Sequence, residues 1–213
     1  MVKNSCYFLD KKLIINGEPY PSLRTHLETA KQLLDPEGSV LSATPVAFGL
    51  GDAHSGNFMV TEAGAEGPML FLDYKVAGFH SPLLVLAKAI YIDAFFEIFY
   101  VDQLNQEDFG VDWRPAGPGA LAIQARFRVG PVSRPIALAK LEYLLKPTLQ
   151  LIDPKPDDAG QIERALGHAL LVCALLTRKS NENQSAFLLN VAMGVRLACD
   201  MRQVFYEMFG CRG

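Results

Sequence analysis

Four side chains in the first third of the sequence have the types and spacing that phosphoryl transfer requires: Asp52, His54, Asn57 and Asp73. Moving a phosphoryl group from a nucleotide to a hydroxyl needs a carboxylate to orient the attacking oxygen and take up its proton. It also needs oxygen ligands that hold magnesium against the phosphates. Magnesium prefers hard oxygen donors and keeps several of its waters, so one carboxylate and one amide oxygen suffice from the protein. Asp52 is followed five residues later by Asn57, and the chain from there to Asp73 reads as a hairpin. Phe58 to Val60 and Met69 to Leu72 are strand-like, and the TEAGAEGP segment between them has the composition of a turn. Such a hairpin returns Asp73 to the side of Asn57.

A second chemistry competes for the same residues. Asp52, His54, Asp73 and His80 resemble the Asp-x-His ligands of a two-metal phosphoesterase. Two metals need further histidines downstream, and after His80 only His168 remains, inside an apolar helical pattern. The ligand count argues against that site. His54 is expected to hold its loop through hydrogen bonds, and His26, His80 and His168 to be structural or exposed. Arg126, Arg128 and Arg134 sit where they could touch phosphate, but they read more simply as a charged loop edge.

The bulk properties exclude several classes of partner. The net charge of −3 gives no basic face for DNA or RNA. Cys6, Cys173, Cys199 and Cys211 show no metal-ligand spacing, and two of them fall in apolar helical patterns that suit small buried hydrophobes. This usage fits a reducing, cytoplasmic setting. The most apolar stretch, Leu83 to Val101, carries Lys88, Asp93 and Glu97, three charges that a membrane span rarely tolerates. It is expected to be a buried helix, with no membrane partner.

The elements that must position these residues follow from local signals. Cys6 to Leu9 and Leu13 to Ile15 read as strands of a small hairpin, with Asn16-Gly17 as a turn signal. Ser22 caps a helix carrying Leu23, Leu27, Ala30 and Leu33 that ends near Asp35-Pro36. Pro45 to Leu50 is a short apolar strand leading into the polar run. Ser81-Pro82 starts a helix expected to reach about Leu104. Asn105 to Pro131 is Gly- and Pro-rich and reads as an irregular excursion. Helical patterns then cover Ser133 to Ile152, Asp158 to Thr177 and Glu182 to Phe209. Strands in the first third and helices thereafter make an α+β chain with segregated elements. One domain spans the 213 residues: an N-terminal hairpin and helix (1–48), the loop and hairpin (49–80) and a helical remainder (81–213).

The run Leu50-Gly51-Asp52-Ala53-His54-Ser55-Gly56-Asn57 resembles the catalytic loop of small-molecule kinases of the aminoglycoside phosphotransferase and choline kinase type, which usually reads His-Gly-Asp-x-His-x-Gly-Asn. Phe71-Leu72-Asp73-Tyr74 resembles their metal-binding strand. The resemblance implies a protein-kinase-like C-terminal lobe, mostly helical, with a β-hairpin carrying the site. By the same carry-over, Asp52 would be the catalytic base, Asn57 and Asp73 the magnesium ligands, and His54 and Gly56 the residues that shape the loop around the nucleotide. ATP and Mg2+ are the implied cofactors and a small molecule with a hydroxyl the implied substrate. The likeness covers Leu50 to Ala87. It departs at Leu50, where the family has histidine, at Lys75, where an acid is common, and at Val85, where an aspartate usually bonds the loop. The 51 residues before Asp52 hold no G-x-G-x-x-G, since Gly17 and Gly38 are isolated, so the nucleotide lobe of these kinases is not expected there. The alternative is a truncated, non-catalytic lobe that binds a ligand or a protein. Without a covering lobe the hairpin would expose apolar surface, which makes a homodimer or a partner chain an expected associate.

Overall fold

Asn16 and Gly17 both take positive φ, 53° and 92°, the backbone that a tight hairpin turn demands and that Asn-Gly adopts most readily. They join β1 (Lys12–Ile15) to β2 (Glu18–Tyr20), paired antiparallel with Ile15 opposite Glu18. The computed structural model describes residues 8–42, 44–61, 67–98, 107–152, 156–177 and 183–210. The hairpin therefore lies on either side of Asn16-Gly17, one strand later than the sequence pattern suggested. Phe8 and Leu9 form a turn, and Cys6 lies outside the described residues. Ser22 caps α1 (Leu23–Leu33) by accepting from the Thr25 amide, as its position predicts. A short helix, α2 (Ser39–Ser42), follows.

The segment expected to be an irregular excursion is instead a hairpin in its described part, β7 (Gly110–Pro115) and β8 (Ala120–Arg126). β8 pairs in parallel with β1, Leu13 opposite Leu121 and Ile15 opposite Ile123, giving a four-stranded sheet of order β2-β1-β8-β7. All four of those side chains are buried, against Leu188, Val191 and Val195 of the last helix. Alternation at Leu121 and Ile123 carries the strand, but the small residues between them and the surrounding Gly and Pro obscured it. Trp113 caps this core edge-on against Phe8, with ring centroids 5.6 Å apart.

Most of the chain is helical, and α+β describes it. α3 (Pro82–Ala94) starts after Ser81 and ends at Phe95, not near Leu104; a 3₁₀ turn follows, and residues 99–106 lie outside the described ones. The pattern from Ser133 to Ile152 is α4 (Ser133–Lys140) and α5 (Lys146–Ile152), joined by a π turn over Leu141–Leu145. α6 (Pro156–Thr177) and α7 (Gln184–Phe209) are long and antiparallel. Two glycines allow their close approach. A Cβ on Gly167 would lie 2.5 Å from the Leu197 carbonyl oxygen, and one on Gly194 would lie 2.7 Å from Leu171 Cδ1. α7 breaks at Asp200, whose carboxylate accepts from the Gln203 amide at 2.9 Å and so restarts the helix. The main core gathers Tyr91, Phe95, Leu166, Leu170, Leu189 and Phe209 from α3, α6 and α7. No helix among the described residues is long and apolar enough to cross a membrane.

Two further sheets have only two strands each: β3 (Ala47–Gly49) with β6 (Gly78–His80), and β4 (Phe58–Val60) with β5 (Met69–Phe71). The second is the expected hairpin, and β6 closes the first in a pairing the sequence did not suggest. These two sheets frame the polar loop.

Candidate active site

The loop enters through Gly51, whose φ of 74° favours glycine and whose α-carbon presses on its neighbours. A Cβ there would stand 2.5 Å from the Val76 carbonyl oxygen and 3.0 Å from His80 Nε2. His80 Nε2 is itself 2.8 Å from the Val76 oxygen, so the histidine pins the return strand rather than reaching the loop's polar groups. Because β3 pairs with β6, Ala47 opposite His80, the start of the loop and the segment after Asp73 are held together.

Beyond Gly51 the loop is organised by its own side chains. His54 Nδ1 accepts from the Gly56 amide at 3.1 Å, which leaves the proton of the neutral ring on Nε2. That nitrogen lies 3.6 Å from Asp52 Oδ1. Gly56 is required by this contact, since a Cβ on it would come within 2.9 Å of the imidazole. Asn57 donates from Nδ2 to the Asp52 carbonyl at 2.7 Å, and its own carbonyl accepts from the Leu72 amide at 2.8 Å. The first bond fixes the backbone at Asp52. The second sets the residue before Asp73 against Asn57. With its nitrogen bound to the loop, the Asn57 side chain has its amide oxygen as the remaining polar atom.

Asp73 is exposed, at φ 55° and ψ 69°, a left-handed backbone that aspartate tolerates better than most residues. Its carboxylate accepts from the Lys75 amide at 3.4 Å and caps a short 3₁₀ turn. One carboxylate and one amide oxygen at adjoining strand ends are the hard-donor set that suits magnesium, so the residues present fit that ion.

Three charged residues from α3 and α4 complete the site, and the motif did not reveal them. Lys88 Nζ lies 3.4 Å from Asp52 Oδ1, an oxygen that is itself buried and makes no hydrogen bond. The ammonium thus orients the carboxylate from the helix side. Asp93 accepts from the Ser55 amide at 3.2 and 3.1 Å and from Ser55 Oγ at 2.6 Å. Its side chain is 1% exposed, and Lys140 Nζ neutralises it at 2.6 Å. The loop is therefore bonded to α3 through Asp93. A signal did exist. Lys88, Asp93 and Glu97 interrupt an apolar helix, and buried charges need partners. Glu97, in the 3₁₀ turn after α3, accepts from the Gly130 amide at 3.0 Å and ties that turn to the segment before α4.

The remaining candidates lie elsewhere. Arg126 pairs with Asp112 and Arg128 with Asp108 on the surface, while Arg134 donates to the Phe209 carbonyl at the end of α7 at 3.2 Å. His26 and His168 are buried side by side, with ring centroids 5.8 Å apart. Burial, and then the neighbouring His168, pulls the His26 pKa down to about 4. Of the two cysteines among the described residues, Cys173 packs half-buried against the main core, in line with expectation, whereas Cys199 is exposed beside His26; Cys6 and Cys211 lie outside those residues. Burial pushes the Cys173 thiol up to about 11, with Lys88 opposing and Asp52 adding to the rise.

The chain has no match among protein-family models, curated proteins or solved structures.

Proposed function

We propose that this protein is a phosphotransferase of the small-molecule kinase kind, transferring a phosphoryl group from ATP to a hydroxyl with magnesium. The observation that carries this reading is the register of β4 and β5. It sets Asn57 and Asp73 at adjoining strand ends while the Asn57 side chain holds the Asp52 backbone. Under it, Asp52 accepts the proton of the acceptor hydroxyl through the carboxylate oxygen that Lys88 does not face. Asn57 and Asp73 hold magnesium, which when bound neutralises charge on the phosphates. His54 and Ser55 keep the loop in shape through Gly56 and Asp93.

Calorimetric titration of ATP with and without magnesium tests this directly. Binding that needs magnesium and is lost in Asp73→Ala is the expected result. Absence of binding at millimolar ATP would remove the stand-alone kinase reading. A second reading, a non-catalytic module of the same lobe that binds a ligand or protein, draws support from the ion pair between Lys88 and Asp52 and from the apolar surface beside the site.

A further inference from the structure

Two lysines stand behind the loop, and they are held differently. Lys140 is a fixed countercharge: its Nζ lies 2.6 Å from an Asp93 oxygen, and the two side chains are 14% and 1% exposed. Lys88 Nζ lies 3.4 Å from Asp52 Oδ1, and those side chains are 31% and 28% exposed. An ammonium and a carboxylate that settle on each other close to about 2.7–2.9 Å, so the first pair is closed and the second is loose. Asp52 Oδ1 is buried and makes no hydrogen bond, so Lys88 faces this oxygen without bonding it.

The same oxygen has a second donor close by. His54 Nε2 stands 3.6 Å from it and carries the ring proton, because Nδ1 accepts from the Gly56 amide. A small closure of the imidazole gives Oδ1 a neutral donor and leaves the ammonium free. Lysine suits such an exchange, being a compact charge on a flexible four-carbon stem. Other cations that could meet phosphate are committed elsewhere: Arg126 to Asp112, Arg128 to Asp108 and Arg134 to the Phe209 carbonyl.

We propose that Lys88 receives the terminal phosphate of the nucleotide and hands Asp52 over to His54 as it does so. The inference rests on the phosphotransferase reading above and adds to it a contact that senses the nucleotide. Under that reading Asp52 orients the acceptor hydroxyl, and the group to be transferred stands beside that hydroxyl. The ammonium next to Asp52 is therefore next to the terminal phosphate, which offers it three oxygens and more negative charge than one carboxylate. A nucleoside diphosphate lacks that group. Lys88 thus tells triphosphate from diphosphate, and stays on Asp52 when only the diphosphate is bound.

Calorimetric titration of MgATP and of MgADP into the full chain decides it, with circular dichroism to check that each variant folds. Lys88→Met is expected to weaken MgATP about 10–100-fold, the worth of one charge-assisted hydrogen bond, and MgADP less than about twofold. Asp52→Asn removes the carboxylate that competes for Lys88, so it should tighten MgATP at least ~3-fold and leave MgADP unchanged. That gain should vanish in Asp52→Asn/Lys88→Met, whereas mere relief of charge repulsion would persist there. A wild type that binds MgATP while Lys88→Met loses nothing, or loses both nucleotides alike, overturns the inference and leaves the phosphotransferase reading standing. A gain that survives in the double variant overturns it in the same way. If Lys88→Met does not fold, Asp52→Asn still decides: no gain, or an equal gain for MgADP, overturns the inference. A wild type that binds neither nucleotide overturns the phosphotransferase reading, and the inference with it.

Discussion

Replacing Lys140 with methionine should destabilise the protein through Asp93 rather than through lost packing. Asp93 is 1% exposed, and the Lys140 ammonium at 2.6 Å is its countercharge. Removing one partner of a buried pair leaves an uncompensated charge and typically costs about 3–5 kcal/mol. Ser55 still donates its amide and hydroxyl to the carboxylate, so Lys140→Met should fall near the lower end, about 3 kcal/mol. In urea unfolding, with a slope of roughly 2–3 kcal/mol per molar, the midpoint drops by about 1 M. Asp93→Asn in the same chain removes the charge and keeps an acceptor for Ser55. The double variant should therefore return to within about 1 kcal/mol of wild type, a coupling of at least ~2 kcal/mol between the two sites. A loss below ~1 kcal/mol in Lys140→Met, or no recovery in the double variant, would refute the assignment of Asp93 as a charged anchor of the loop.

The crossing of α6 and α7 offers a comparison of two glycines. Gly167→Ala should cost about 2–3 kcal/mol and more than Gly194→Ala, because its Cβ meets the Leu197 carbonyl at 2.5 Å whereas Gly194 faces the movable end of Leu171. Urea midpoints of the two variants check the order, and its reversal would contradict the packing described. His26 supplies a pH dependence. Its folded pKa of about 4 lies below the ordinary 6.5, because burial and then His168 disfavour the charged ring. The unfolded chain therefore binds the proton first. Stability is whole above pH 6.5 and is lost as pH falls toward about 4, by roughly 3 kcal/mol from this group. His26→Leu should flatten the urea midpoint across that window, and an unchanged slope would show that His26 is not its source.

The parts of the protein legible in its sequence are those that neighbours in the chain decide. Asn16-Gly17 makes its turn because both residues accept positive φ, and Ser22 caps α1 through an amide three residues on. Asn57 and Asp73 lie at adjoining ends of the β4–β5 pair because its register sets Phe58 opposite Phe71. The longer reach of the fold was hidden for a physical reason. β8 completes the first sheet by pairing with a strand more than a hundred residues earlier, and no local pattern names so distant a partner. Composition even pointed the other way, since Gly and Pro around residues 115–119 mark the turn of the β7–β8 hairpin and not a structureless stretch.

The candidate site divides along the same line. Asp52, His54, Asn57 and Asp73 could be read from type and spacing, because the loop bonds that arrange them span five residues or fewer and the rest is one hairpin. Lys88, Asp93 and Glu97 stood out in the sequence only as charges that argue against a membrane span, although a charge in an apolar stretch is too costly to bury alone. Which partners they took was a matter of tertiary structure. Lys88 faces Asp52, Asp93 holds Ser55 and Lys140, and Glu97 holds Gly130 only because α3 packs behind the loop and beside α4. The sequence by itself determined which polar side chains the loop carries. The packing of α3 determined how that chemistry is held, because electrostatic partners are chosen by distance in space.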